Sequence, residues 1–108
     1  MNFSTNPKRD IKKISKRENT KTISNTKTII NTKTSIDHDC TIGDHTHLAP
    51  GVTINGAVQI HNGVLVGTGA TILQTVNIGE NSVIGAGAVV LHDVPNDVTM
   101  AGVPAKLL

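Results

Sequence analysis

Branched aliphatic residues return along this chain every six positions. The series runs Ile30, Ile36, Ile42, Leu48, Ile54, Ile60, Val66, Ile72, Ile78, Ile84 and Val90 without a gap. Four residues after each member stands a small or medium side chain: Thr34, Cys40, Thr46, Val52, Val58, Val64, Ala70, Val76, Ser82 and Ala88. One residue after each, Gly, Asn or Asp fills seven of eleven places, and these are the types that tolerate tight or left-handed backbone best. A period of six is not a helix period. It predicts a short strand and a corner, repeated, with the aliphatic inward and the small residue filling the taper. Three such sides close a triangular coil, stacked on the next at about 4.8 Å. The expected fold is all-β, a parallel β-helix of hexapeptide repeats with nearly four coils over residues 28–90. The hand of the coil does not follow from the period.

Both ends of such a solenoid are open edges. Residues 91–108 are expected to close the C-terminal end, because the period fails there and Pro95 and Pro104 interrupt pairing. At the other end, residues 19–36 read NTKTIS, NTKTII, NTKTSI, but Ile23 and Ile29 are one place out of phase with Ile30. The β-helix is therefore started near Thr28. Residues 1–27 are read as a basic, low-complexity tail, in which KRDIKKISKREN is either a short helix or disordered.

Composition sharpens this reading. Phe3 is the only aromatic residue, whereas 12 Ile, 11 Val and 14 Thr favour strands. A narrow bore filled by stacked Ile and Val has no room for rings. Charge is divided: residues 1–33 hold nine Lys and Arg against Asp10 and Glu18, whereas residues 34–108 hold Lys106 against six acids. The acidic body argues against a nucleic-acid partner. No run approaches a membrane span, and no apolar stretch of a signal peptide is present. With Cys40 alone, no internal disulfide is possible, and a cytoplasmic setting is expected.

Five histidines supply the candidate chemistry: His38, His45, His47, His61 and His92. The pair His38–Asp39 suits general-base work, since a neighbouring carboxylate stabilises imidazolium. A zinc set of His38, Cys40, His45 and His47 is the competing reading. It is set aside because Cys40 occupies the small inward slot, away from His38 at a corner. His61 is read as a plain turn residue. His92 lies three coils from His38 in the same column, about 14 Å away, so the two cannot pair within one chain.

The stretches IINTKTSIDHDCTIGDHTHLAPGVTINGAVQI, VGTGATI and VNIGENSVIGAGAVVLHDVP, with the ending AGVPAKLL, resemble the bacterial sugar O- and N-acyltransferases of the hexapeptide class. These are the relatives of sialic acid O-acetyltransferase and UDP-amino-sugar N-acetyltransferase. The resemblance covers residues 29–108 and implies a left-handed coil. It further implies a homotrimer with sites between neighbouring β-helices, acetyl-CoA as acyl donor, a sugar or sugar-nucleotide acceptor, and no metal. By position, His38 matches the catalytic base and Asp39 the acid that raises its basicity. His47 matches a histidine that contacts acetyl-CoA, and Thr68 and Ala86 match backbone positions lining the same donor. Thr68 and Ala86 are 18 residues apart, which stacks them in adjacent coils.

Two departures bear on activity. Such relatives carry an N-terminal βαβ-type domain for the acceptor, where this chain has a basic, repetitive stretch of about 27 residues. Lys33 and His61 stand where glycine is usual. The expected function is acetyl-CoA-dependent acetyl transfer to a sugar amine or hydroxyl. The alternative is a catalytically inactive, truncated β-helix scaffold.

Overall fold

The computed structural model describes residues 11–14, 18–20 and 28–108. In chain order the strands are β1 (Ile11–Ile14), β2 (Glu18–Thr20), β3 (Ile29–Ile30), β4 (Thr34–Ile36), β5 (Cys40–Gly43), β6 (His47–Leu48), β7 (Thr53–Ile54) and β8 (Gln59–Ile60). They continue as β9 (Leu65–Val66), β10 (Thr71–Ile72), β11 (Asn77–Ile78), β12 (Val83–Ile84), β13 (Val89–Val90), β14 (Thr99–Ala101) and β15 (Lys106–Leu107). They form three flat faces, ordered β1-β5-β8-β11, β2-β4-β7-β10-β13 and β3-β6-β9-β12-β14-β15. Within the body each strand pairs in parallel with the one a full coil later, as Ile36 with Ile54, Ile54 with Ile72 and Ile72 with Val90. This is the left-handed parallel β-helix expected of hexapeptide repeats.

The bore is filled as the period requires. All eleven inward aliphatics from Ile30 to Val90 are at most 1% exposed. The ten small-slot residues are at most 3% exposed. Polar members of that slot are satisfied in a repeating way, each donating to a carbonyl on a corner of the next coil. Thr34 Oγ1 donates to Ala49 O (3.0 Å), Thr46 Oγ1 to His61 O (3.1 Å) and Cys40 Sγ to Asn55 O (3.0 Å).

The corners correct one expectation. Positive φ falls three residues after each inward aliphatic, not one: Lys33, Asp39, His45, Gly51, Ala57, Gly63, Gly69, Thr75, Asn81 and Gly87. Six of these ten are not glycine, so the corner holds non-glycine residues in the left-handed region, Lys33 at φ 60 among them. The slot one residue after the aliphatic is selected for other reasons. A Cβ on Gly67 would stand 2.6 Å from Ala86 N, so that glycine admits the next coil. Asn31 Oδ1 accepts from Thr32 N–H (2.7 Å) and Asp37 Oδ1 from His38 N–H (2.8 Å), so these two side chains cap the following amide.

The ends also differ from expectation. The period does not fail after Val90; it loses two residues and continues. Val94 bridges to Ile78, Val83 pairs with Thr99, and the left-handed corner recurs at Asp97. The chain then turns at Gly102, and β15 folds back antiparallel on β14. In the N-terminal tail, where a helix or disorder was expected, β1 pairs antiparallel with β5 and β2 with β4. The tail therefore borders two faces of the first coil. The rest of residues 1–27 lies outside the described residues.

Candidate active site

The corner at residues 37–39 joins β4 to β5. The next coil fixes its backbone: Asp37 N–H donates to Ile54 O (2.8 Å), and Ala57 N–H donates to His38 O (3.0 Å). Asp37 Oδ1 accepts twice from its neighbour, from His38 N–H (2.8 Å) and from the His38 ring at Nδ1 (3.0 Å). The His38 side chain is 63% exposed and that of Asp37 30%. On its other side the ring lies over Gly56, where a Cβ would come within 3.0 Å of Cε1 and Nε2. Asp37, His38, Asn55, Gly56, Ala57, Gln74 and Thr75 line a cleft of about 430 Å³. An imidazole anchored at Nδ1 and open at Nε2, beside a polar cleft, is suited to removing a proton from a bound amine or hydroxyl.

The structure thus pairs His38 with Asp37, where the sequence had singled out Asp39. Asp39 holds the left-handed turn position, φ 60, at which the backbone swings into β5. The signal for Asp37 was present: it shares its slot with Asn31, whose side chain caps the next amide in the same way. Nothing local marked Gly56, because the ring that it accommodates belongs to the coil before.

The remaining candidates lie elsewhere on the triangular prism. His47 is half-buried on β6, between Ile29 and Leu65 on the six-stranded face. Thr68 and Ala86 are exposed and stacked on a different edge from His38, where Gly87 N–H donates to Thr68 O (2.8 Å). One chain therefore does not gather His38 with His47, Thr68 and Ala86. His92 shares the His38 column, with Gly56 and Gln74 between them. His61 Nε2 bonds Asn77 Oδ1 (2.8 Å).

Cys40 is fully buried beneath the His38 corner, and burial pushes its thiol up from the ordinary value. That disfavours the thiolate needed of a nucleophile or metal ligand. Among the described residues, no three His, Cys, Asp or Glu come together as a metal site. Nor is any helix among them long and apolar enough to cross a membrane.

The family bacterial transferase hexapeptide (six repeats) matches residues 57–92. No curated protein matches the chain in sequence. Among solved structures, WeeI from Acinetobacter baumannii AYE is 40% identical with a TM-score of 0.73, over 75% of this chain and 41% of that one. PerB from Caulobacter crescentus, in complex with CoA and GDP-perosamine, is 40% identical with a TM-score of 0.73, over 75% of this chain and 39% of that one. The acetyltransferase domain of PglB from Neisseria gonorrhoeae FA1090, in complex with acetyl coenzyme A, is 40% identical with a TM-score of 0.74, over 75% and 40%. The chain spans about two fifths of the length of these relatives.

Proposed function

We propose that this chain, which belongs to the hexapeptide-repeat family, is an acyltransferase that moves the acetyl group of acetyl-CoA to an amine or hydroxyl of a sugar or sugar nucleotide. The observation that carries the reading is His38, held at Nδ1 by Asp37 with Nε2 free beside the cleft. In the proposed reaction the acceptor N or O attacks the thioester carbonyl while His38 Nε2 takes its proton. The tetrahedral intermediate then collapses, the C–S bond breaks, and the imidazolium returns the proton to the CoA sulfur. Most of the rate gain comes from positioning and from donors facing the developing oxyanion. The polar lining of Asn55, Gln74 and Thr75 suits a hydroxyl-rich acceptor.

The donor residues His47, Thr68 and Ala86 complete the site from a neighbouring copy, in a homotrimer. Two features support that assembly. The candidates are spread over different edges of one prism, and the outer row of the six-stranded face is largely apolar, with Ile29 and Leu65 flanking His47 and Val83 beyond Leu65. Acetyl-CoA as donor places the reaction in the cytoplasm. The second reading is a catalytically inactive β-helix scaffold, which the separation of His38 from His47, Thr68 and Ala86 within one chain favours.

Calorimetric titration with acetyl-CoA separates the two. One site per chain, weakened by His47→Ala, is expected, together with acetylation of an amino-sugar nucleotide that is lost in His38→Ala. No binding at millimolar acetyl-CoA overturns the enzyme reading and leaves the scaffold.

A further inference from the structure

We propose that the Asn55–Gly56 peptide is a site of spontaneous covalent modification, at which an amide in the cleft becomes a carboxylate. Asparagine followed by glycine is the pair most open to this chemistry, because no side chain shields the following amide nitrogen. The chain holds the pair twice, at Asn55–Gly56 and at Asn62–Gly63. In the reaction Gly56 N loses its proton to water and attacks Asn55 Cγ. The bond from Cγ to the side-chain nitrogen breaks, ammonia leaves, and a five-membered imide closes. Water then opens one of its two carbonyls, which leaves aspartate or isoaspartate at position 55. The two pairs differ in what holds them. Asn62 is clamped to the coil before it: its Oδ1 accepts from Asp44 N–H (2.7 Å), and Gly63 N–H donates to Asp44 O (2.8 Å). Both bonds must break before a ring can close there. Among the described residues, neither Gly56 N–H nor the Asn55 side chain makes a hydrogen bond. One coil earlier, Asp37 caps the amide that follows it; Asn55 leaves that amide open. Asn55 and Gly56 both line the cleft of about 430 Å³, so water reaches the imide. The product changes the site itself. Asn55 N–H is bonded to Ile72 O and Asn55 O to Cys40 Sγ, each at 3.0 Å, and Ala57 N–H to His38 O. Isoaspartate inserts a carbon into the main chain between these anchors, beneath the His38 ring that lies over Gly56. The effect on acyl transfer rests on the proposed role of His38 as base; the modification does not.

Peptide mapping by mass spectrometry, on the full chain aged in its folded state in mildly alkaline buffer, tests this and needs no acceptor. Position 55 is expected to gain acid and isoaspartate at least about 10-fold faster than position 62, the scale of the two hydrogen bonds that Asn62 must give up first. In urea the clamp on Asn62 is gone, and the two positions are expected to convert at similar rates. Asn55→Gln, whose longer side chain closes an imide far more slowly, is expected to abolish conversion at position 55. Equal rates in the folded chain overturn the proposal, as does a position 55 that stays intact when folded while both positions convert in urea. In the transfer assay, aged wild type is expected to lose activity in proportion to the fraction converted, whereas aged Asn55→Gln keeps the rate it had before ageing. Conversion at position 55 with transfer unchanged upholds the modification and refutes the placing of the reaction in this cleft, so the two failures are distinguishable.

Discussion

Replacing Gly67 by Ala should destabilise the solenoid more than replacing Gly69, although only Gly69 has a left-handed backbone. Gly69 adopts φ +71, and a Cβ there meets nothing within 4 Å. Alanine in that region costs about 1–2 kcal/mol. Reduced freedom of the unfolded chain returns about 0.4–1 kcal/mol of it. The same corner slot already holds Ala57 at φ 59 and Thr75 at φ 64, so the net loss should be about 1 kcal/mol or less. Gly67 is different. Its Cβ would stand 2.6 Å from Ala86 N and 2.9 Å from Ala86 Cα, both backbone atoms. Ordinary contact begins near 3.5 Å, and no rotamer can relieve the overlap. The coils must part at a corner where Gly67 N–H donates to Ile84 O and Gly87 N–H to Thr68 O, each at 2.8 Å. Overpacking of this kind costs about 1–3 kcal/mol, and two stretched hydrogen bonds place the loss at the upper end. A difference of about 2 kcal/mol corresponds to a midpoint shift of about 1 M urea. Urea unfolding of both variants at one fixed protein concentration measures it, since assembly contributes to apparent stability. A Gly69→Ala loss equal to or greater than that of Gly67→Ala would refute the reasoning.

Three further outcomes follow from the same geometry. Ile54 is 1% exposed in the bore, and Ile54→Ala should cost about 2–5 kcal/mol in urea unfolding; a loss below about 1 kcal/mol would mean that the bore collapses around the gap. Burial raises the Cys40 thiol above its unfolded value, so its share of stability is whole below the ordinary thiol pKa and is lost as pH rises from there through the folded value. The urea midpoint should therefore fall less steeply in Cys40→Ala than in the wild type above about pH 8.5, and parallel declines would disprove the assignment. Deleting residues 1–20 removes β1 and β2 and uncovers the backbone edges of β4 and β5, so light scattering should show concentration-dependent growth beyond the parent assembly, whereas an unchanged size would mean these edges need no cover.

The architecture was legible because its constraint is local and periodic. A bore that admits one aliphatic and one small side chain per side imposes a six-residue pattern on the chain, and every residue in the two inward rows is buried as that pattern requires. Column partners follow by counting, and Thr68 and Ala86, 18 residues apart, lie in adjacent coils as the period requires. The corners were less legible. Glycine one place after the aliphatic suggested a left-handed turn, but its cause is the next coil's backbone, a neighbour far away in the chain. The two residues lost after Val90 looked like the end of the repeat, and only the pairing of Val83 with Thr99 shows that the coil resumes. The β1 and β2 strands carry no inward period, because their partners are the free edges of β5 and β4 and not the bore.

The same division runs through the site. The dipeptide His38–Asp39 was visible as chemistry, but Asp37, the carboxylate on the other side of His38, was not singled out. Which one meets the ring depends on the corner torsions and on the coil that pins Asp37 N–H. The sequence by itself determined what lies inside the prism and how coils stack, since volume and period decide both. Only the tertiary structure decided which carboxylate meets the His38 ring and that His47, Thr68 and Ala86 lie away from it, since a triangular cross-section sends neighbouring segments to different edges.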